Sequence, residues 1–262
     1  MNPQSTRNFI MIKKAGITGG SGLIGKILIK IFKIKKIKFS LYKKDIRNFK
    51  DLNNWLKNNK DIDTIFHLAA IVPTNLVNQN KKKSIDVNFK GTVNIFNAAR
   101  VANRNIWFFF ASTSHVYQPQ KNLLKENDLL KPTSFYGKTK LMSENFLLKN
   151  KDKRIKVCIG RIFSIFHDKQ KKSFFYPAMK LRFKNKKEKK DSYILKGGNS
   201  VRDFSNAERV AKIIFRLSKK KVSGIVNIAS GKKITLLKFI SKYINNNVKI
   251  KSNGKYNIVA AN

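Results

Sequence analysis

Apolar runs of strand length alternate along this chain with amphipathic stretches of helix length. Residues 10–18 form the first run, followed by a glycine-containing turn and a helical pattern over 23–32. Residues 37–42 predict a second strand and 51–58 a second helix. The third strand, 64–69, is continuously apolar, as a strand buried on both faces should be. A long helix over 85–103 leads to a fourth strand, 105–111 (NIWFFFA). Residues 134–149 read as a helix with Leu141, Phe146, Leu147 and Leu148 as its apolar side, and 154–163 as a fifth strand. The pattern is then less regular until a helix at 206–218, a strand at Gly224–Ile228 and a helix at 235–245. Such alternation predicts βαβ units around a parallel sheet, an α/β fold.

The length, 262 residues, suits one larger domain or a domain with a small lobe. Lys and Arg outnumber Asp and Glu by 57 to 14, for a net charge of +43, yet 42% of residues are hydrophobic, which excludes wholesale disorder. A single cysteine, Cys158, excludes a disulfide scaffold, and His67, His115 and His167 show no metal-ligand spacing, so no metal is expected. No apolar run approaches the ~20 residues of a membrane span, and MNPQSTRNFIMIKK lacks the apolar stretch of a signal peptide, so a soluble cytoplasmic protein is expected. The charge has two readings. One is polyanion binding. The other is compositional drift, since Lys far exceeds Arg while Asn, Ile and Phe are also abundant. The runs at 81–83, 186–190 and 219–221 fall between apolar segments, where solvated loops and helix ends belong, which favours drift.

The turn after the first strand reads TGGSGLIG at 18–25. Gly20, Gly22 and Gly25 satisfy G-x-G-x-x-G, while Gly19, Gly22 and Gly25 satisfy G-x-x-G-x-x-G. Glycines here permit a tight turn and close backbone approach to a pyrophosphate, and the following helix offers its N-terminus to the phosphates. The strand before and the helix after give the motif its confirming context. The acidic residue usual about 20 positions further on is represented by Asp45.

Tyr136 and Lys140 form Y-x-x-x-K, one helical turn apart. An adjacent ammonium favours a phenolate and is expected to lower the Tyr136 pKa, fitting it for proton transfer to or from a sugar oxygen. The segment Ser112–Tyr117, STSHVY, follows the fourth strand at the carboxyl edge of the sheet, where α/β folds bind ligands. A hydroxyl there can help polarise the same oxygen.

Together with FHLAA at 66–70, VNFKGTVNIFNAA at 87–99, PTSFYGKTKLMSE at 132–144, GRIFS at 160–164, RDF at 202–204 and GIVNIASG at 224–231, these segments resemble the extended short-chain dehydrogenase/reductase family. Within it the resemblance is to the NAD(P)-dependent epimerase/dehydratase group acting on nucleotide sugars. It implies a Rossmann-like doubly wound parallel sheet with a small C-terminal substrate lobe. The dinucleotide-binding part would span 8–163, rejoined at about 204–229, and the lobe 164–203 and 230–262. By position, Gly19, Ser21, Gly22, Leu23, Ile24 and Gly25 match the pyrophosphate loop, and Asp45 and Ile46 the adenine contacts. Leu68, Ala69 and Ala70 match the turn beside the cofactor ribose. Thr113 matches the catalytic Ser/Thr and Tyr136 the acid/base. Lys140 matches its partner, which also holds the nicotinamide ribose. Arg202 matches a substrate-nucleotide contact, and Ser114, His115 and Ser164 occupy substrate-facing positions.

Several positions depart from the family pattern. Dehydratases carry Asp-Glu directly after the catalytic Thr; here stand Ser114 and His115, which disfavours dehydration. Ser164 replaces an Asn, and Asn206 a His. The second strand joins DIRN at 45–48 with almost no intervening loop, and that shortness, with Lys43–Lys44, resembles the 4-keto-sugar reductase branch. Without an acid at that strand's end, Lys43 and Lys44 lean the cofactor from NAD toward NADP. Family members extend further at the C-terminus, which implies a clipped lobe. The expected activity is 4-keto reduction or 4-epimerisation of a nucleotide sugar by a homodimer pairing the helices at 85–103 and 134–149, with no specific nucleic acid or membrane partner. The alternatives are a nucleic-acid-binding protein on the same scaffold and a catalytically inactive relative.

Overall fold

The computed structural model describes residues 11–72, 74–120, 122–184, 192–244, 249–253 and 258–259. The lysine run at 186–190 and the outer ends of the elements expected at 10–18 and 235–245 lie outside them. The chain forms β1 (Lys14–Thr18), α1 (Leu23–Ile34), β2 (Lys38–Tyr42), α2 (Phe49–Lys57), β3 (Thr64–His67), α3 (Thr74–Gln79) and α4 (Lys81–Ile85). A π-helical turn, Asp86–Lys90, joins α4 to α5 (Gly91–Val101). β4 (Ile106–Thr113), a 3-10 turn (Ser114–Val116), α6 (Phe135–Lys149) and β5 (Ile155–Ile162) follow. Then come β6 (Ser164–Phe166), α7 (Phe175–Lys184), β7 (Ser192–Lys196), β8 (Val201–Arg202), β9 (Phe204–Asn206), α8 (Ala207–Lys219) and β10 (Gly224–Ile228). The chain closes with β11 (Ile234–Thr235), α9 (Leu236–Tyr243), β12 (Lys249–Asn253) and β13 (Ile258–Val259).

The main sheet has the order β10-β5-β4-β3-β1-β2, and every neighbouring pair is parallel. The alternation within NIWFFFA explains how one strand serves two cores. Trp107 and Phe109 pack with Phe66, Leu28 and Phe32 of α1 and Val210, Ala211 and Ile214 of α8. Phe108 and Phe110 pack on the opposite face with Leu52 and Leu56 of α2, Ile95 and Phe96 of α5 and Leu147 of α6. Helices therefore cover both faces, the doubly wound arrangement. Each fully buried ring contributes about 1.5–3 kcal/mol by leaving water, so β4 is a main anchor of the fold. Chain order reverses between β1 and β3, which places the ligand crevice of such sheets outside their carboxyl ends.

Two sequence expectations need correction. The helix expected at 85–103 begins at α4 and contains the π turn. The buried side of α6 is Tyr136, Gly137, Thr139, Lys140, Ser143, Glu144 and Leu147, while Leu148 is exposed. Thr139, Ser143 and Glu144 turn inward because hydrogen bonds with the π turn, β4 and β5 satisfy them, and hydrophobicity alone cannot register that. Beyond the main sheet, Phe166, Tyr176, Phe204, Phe239 and Tyr243 form an aromatic cluster, with Phe204 stacked on Phe239 at 3.8 Å. β6 pairs with β9, bringing Ser164 opposite Phe204.

Candidate active site

The crevice between β1 and β3 is built by backbone contact. Gly19 has φ +73°, and a Cβ there would lie 2.5 Å from Ala69 N and 2.7 Å from Leu68 C. A Cβ on Gly25 would lie 2.6 Å from Gly19 O and 2.7 Å from Gly20 Cα. Only hydrogen fits at either position, so the loop after β1 closes against both the start of α1 and the loop after β3. Gly22 is the N-cap residue of α1, and its N–H donates to Gly19 O at 3.0 Å. The first turn of α1 carries no acidic residue and no side-chain cap, which leaves its positive end suited to an anion. Ser21 is exposed there, and Leu23 and Ile24 are half-buried. Leu68, Ala69 and Ala70 are half-buried across the crevice, with Leu68 N donating to Thr18 O at 3.1 Å.

His67 locks this arrangement from below. Its Nδ1 lies 2.7 Å from Thr18 Oγ1 and its Nε2 3.0 Å from Thr92 Oγ1, linking β1, β3 and α5. Burial, then the charge of Lys140, pushes its pKa down to about 3, so the ring is neutral. At the end of β2, Asp45 is exposed and gripped by Arg47, with Nη2 2.6 Å from Oδ2. That hydrogen bond holds its carboxyl at about 2. Ile46 is buried against Gly91, where a Cβ would meet Ile46 Cγ2 at 2.7 Å. A groove of about 580 Å³ lined by Asp45, Arg47, Asn48, Asp86, Lys90 and Asn94 opens beside them.

The second half of the site is carried by β4 and α6. Thr113 ends β4 and caps the 3-10 turn, accepting from His115 N at 3.3 Å. Ser134 caps α6 by accepting from Gly137 N at 3.0 Å, which starts the helix so that Tyr136 and Lys140 face inward. Both are buried, at 7% and 2% exposure. The structure sets the Thr113 hydroxyl beside Tyr136, close enough to pull the phenol's pKa down in part. It does not give Lys140 the expected role of lowering the Tyr136 pKa. Burial pushes that pKa up, and Thr113 pulls it only partly back. Lys140 instead has its Nζ 4.4 Å from the centre of the Phe110 ring. Burial lowers it to about 7, against the opposing charge of Glu144. Desolvation disfavours the charged form of both groups, and it outweighs their spacing.

His115 lines the cleft over this pair, its ring edge-on to Tyr136 at 5.8 Å. His115 is exposed, yet desolvation by the protein around its ring, then the charge of Arg202, lowers its pKa. Arg202 is half-buried, and its Nη1 donates to Val201 O at 2.8 Å. Ser164 is half-buried on β6, and Ser114 is buried beside Thr113. Thus Thr113, Ser114, His115, Tyr136, Lys140 and Arg202 converge at one end of the sheet, Ser164 lies on the strand pairing with β9, and Asp45 lies at the far end of the crevice.

Sequence reasoning missed three groups here. Asn88, buried in the π turn, accepts from Ile71 N at 2.7 Å and donates to Ile71 O at 3.0 Å. It also donates to Thr139 at 3.2 Å, so it ties the loop after β3 to α6. Glu144 and Arg161 form a buried ion pair, Nη2 to Oε2 2.7 Å, directly behind Lys140 and Ser112. The K-x-x-x-E spacing from Lys140 to Glu144 was a readable signal; the Asn88 contacts left none.

A family model described as GDP-mannose 4,6 dehydratase matches residues 28–261. The chain belongs to this family. It is a branch of the extended short-chain dehydrogenase/reductase group that includes nucleotide-sugar epimerases and dehydratases. Within the family, the chain is 32% identical over 227 residues to the GDP-6-deoxy-D-talose 4-dehydrogenase of Aggregatibacter actinomycetemcomitans, covering 82% of this chain and 74% of that protein. Among solved structures it resembles the dTDP-4-dehydrorhamnose reductase of Bacillus anthracis in complex with NADP. There the TM-score is 0.82 at 17% identity, covering 95% of this chain and 91% of that one. It also resembles the NAD complex of Thermus thermophilus UDP-glucose 4-epimerase, with TM-score 0.78 at 17% identity, covering 95% and 90%. These two likenesses establish the shared Rossmann-like fold of the family. No helix among the described residues is long and apolar enough to cross a membrane.

Proposed function

We propose that the chain is an NAD(P)-dependent enzyme acting at C4 of a nucleotide sugar, by 4-keto reduction or 4-epimerisation. The observation that carries this reading is the convergence of Thr113, Tyr136 and Lys140, all buried, at the carboxyl end of a sheet whose glycine crevice admits no Cβ at Gly19 or Gly25. That crevice fits a dinucleotide. Gly19, Ser21, Gly22, Leu23, Ile24 and Gly25 would hold its pyrophosphate, Asp45 and Ile46 its adenine, and Leu68, Ala69 and Ala70 a ribose. When bound, the cofactor supplies or accepts a hydride.

The chain's own residues do the rest. Burial keeps Tyr136 protonated near neutral pH, so in the reductive direction its O–H donates to the sugar oxygen that forms at C4. Thr113 donates to the same oxygen and holds it in line. Lys140, one turn below, would orient the cofactor ribose. In the oxidative half of an epimerisation the proton moves the other way, from the sugar hydroxyl to Tyr136 in its phenolate form, so that half-reaction starts only from the deprotonated residue. Ser114, His115, Ser164 and Arg202 face the sugar and its nucleotide, with 164–203 and 230–262 as the substrate lobe. Dehydration is read against, because its carboxylic acid pair is replaced by Ser114 and His115.

Lys43 and Lys44 support NADP over NAD; Lys43 is exposed, while Lys44 lies 3.0 Å from Asp51. A homodimer through α5 and α6 is supported by exposed Val101, Met142 and Leu148. The test is to mix purified protein with NADPH and a 4-keto nucleotide sugar, and separately with NADH. Net oxidation with an NADPH preference is the expected reductase result. Interconversion of 4-epimers without net cofactor change identifies the epimerase. Absence of both, with cofactor still bound, overturns the reading.

A further inference from the structure

A buried carboxylate lies behind the site, outside the residues that carry the proposed reaction. Glu144 is fully buried, and Arg161, 1% exposed, meets it with Nη2 at 2.7 Å from Oε2 and Nε at 3.2 Å from each oxygen. The same carboxylate accepts the hydroxyl of Ser112, the residue before Thr113 on β4. It stands one turn from Lys140 on the inner face of α6. Arg161 continues the network, donating to Tyr117 Oη at 2.9 Å and to Glu126 O at 2.8 Å, and Tyr117 donates to Asn227 Oδ1 of β10 at 2.7 Å. One buried charge pair therefore joins the two elements that carry the reacting groups to β5 and, through Tyr117, to the edge strand β10.

The groups facing Lys140 are few. On its own helix they are Tyr136 and Glu144; from β3 comes His67, held neutral by burial; from β4 comes the Phe110 ring. Arg161 on β5 stands behind Glu144. Glu144 is the acid whose charge favours the Lys140 ammonium against its burial. A buried ion pair is a poor source of stability, because desolving both charges offsets most of their attraction. Its geometry here makes sense as placement: the carboxylate is shared between a strand end and a helix that must stay in register.

We propose that Glu144 is the positioning residue of this site, bracing through Ser112 the strand end that carries Thr113 and counter-charging Lys140 on its own helix. This rests on the reading of Thr113, Tyr136 and Lys140 given above. It adds that the proton carried by Lys140 depends on a residue outside the reacting set.

The test uses two variants. Glu144→Gln keeps the shape and removes the charge. The double variant Glu144→Gln with Arg161→Met also removes the cation that the single change would strand, so it folds even where the single variant does not. In cofactor-free protein labelled at lysine Cε, the Lys140 resonance is assigned by its loss in Lys140→Arg and followed against pH. Glu144→Gln is expected to bind the Lys140 proton about tenfold more weakly than the unaltered chain, and the double variant to shift in the same direction by less, because the Arg161 cation that opposes the ammonium from further off is gone as well. The alkaline limb of kcat/KM should move to lower pH with it. Midpoints unchanged in both variants overturn the proposal, even where activity falls, since a merely structural loss lowers amplitude and leaves the titration in place. A moved midpoint in a protein without turnover supports Glu144 and overturns only the proposed reaction.

Discussion

Gly137 is where the site's geometry is most exposed to a single atom. It follows Tyr136 in the first turn of α6, and a Cβ there would sit 2.2 Å from the carbonyl oxygen of His115, and 3.0 Å from both His115 C and Pro132 Cβ. The closest neighbour is backbone, so no rotamer relieves it. Restoring 3.0 Å from that oxygen requires α6 and the 3-10 turn to part by about 0.8 Å. In Gly137→Ala the helix gains up to about 1 kcal/mol of propensity, while overpacking costs about 1–3 kcal/mol, so the net loss of stability is small. The separation instead falls on the contact between Thr113, at the head of the 3-10 turn, and Tyr136, at the head of α6. A misplacement near 1 Å can reduce turnover by about a hundredfold. Thermal denaturation and NADPH-linked turnover, measured side by side, should therefore separate: a melting temperature within a few degrees of the unaltered chain, and kcat down on the order of 10- to 100-fold. Unaltered kcat with an unaltered melting temperature would refute the reasoning, because it would mean that α6 moves freely against the turn.

Other consequences are as direct. The His67 proton affinity is lower in the fold, at a pKa of about 3, than the ordinary 6.5, so its contribution to stability is complete above pH 6.5 and is lost as pH falls toward 3. Between pH 7 and pH 4 this amounts to at most about 3 kcal/mol. Urea midpoints across that range should fall less steeply in His67→Gln, and parallel curves for the two proteins would count against it. Burial pushes the Cys158 thiol up to about 12, so it should resist a thiol reagent in the native protein and react fully in urea. Fast native labelling at pH 7 would contradict the packing described for β5.

The alternation of apolar and polar residues was enough to lay out the sheet. Strand and helix positions agree with the structure to within a few residues, because those segments bury continuous apolar faces that periodicity reports. The glycine loop was legible for a similar reason: only Gly tolerates Ala69 N and Gly19 O at such distances. What stayed hidden is polar and buried. The inner face of α6 places Thr139, Lys140, Ser143 and Glu144 inside, and their partners Asn88, Arg161 and Ser112 come from residues 17 to 55 positions away. The π turn was invisible because one extra residue leaves the composition of a helix unchanged. The Tyr136 pKa was misjudged because spacing reports neighbours and says nothing of solvent.

The acids that survive in so basic a chain have a bearing on how it meets its ligands. Asp45, Asp51, Asp61, Asp86, Asp152 and Asp168 each lie on a neighbouring Lys or Arg, and Glu144 on Arg161. These carboxylates are committed to local cations, and the +43 that remains after every acid is counted is unanswered from within. The counter-charge for the rest has to be imported. A phosphate arriving at the first turn of α1, where no acidic residue stands, displaces loosely held small anions and has no carboxylate to evict there, so its binding is an ion exchange with the solvent.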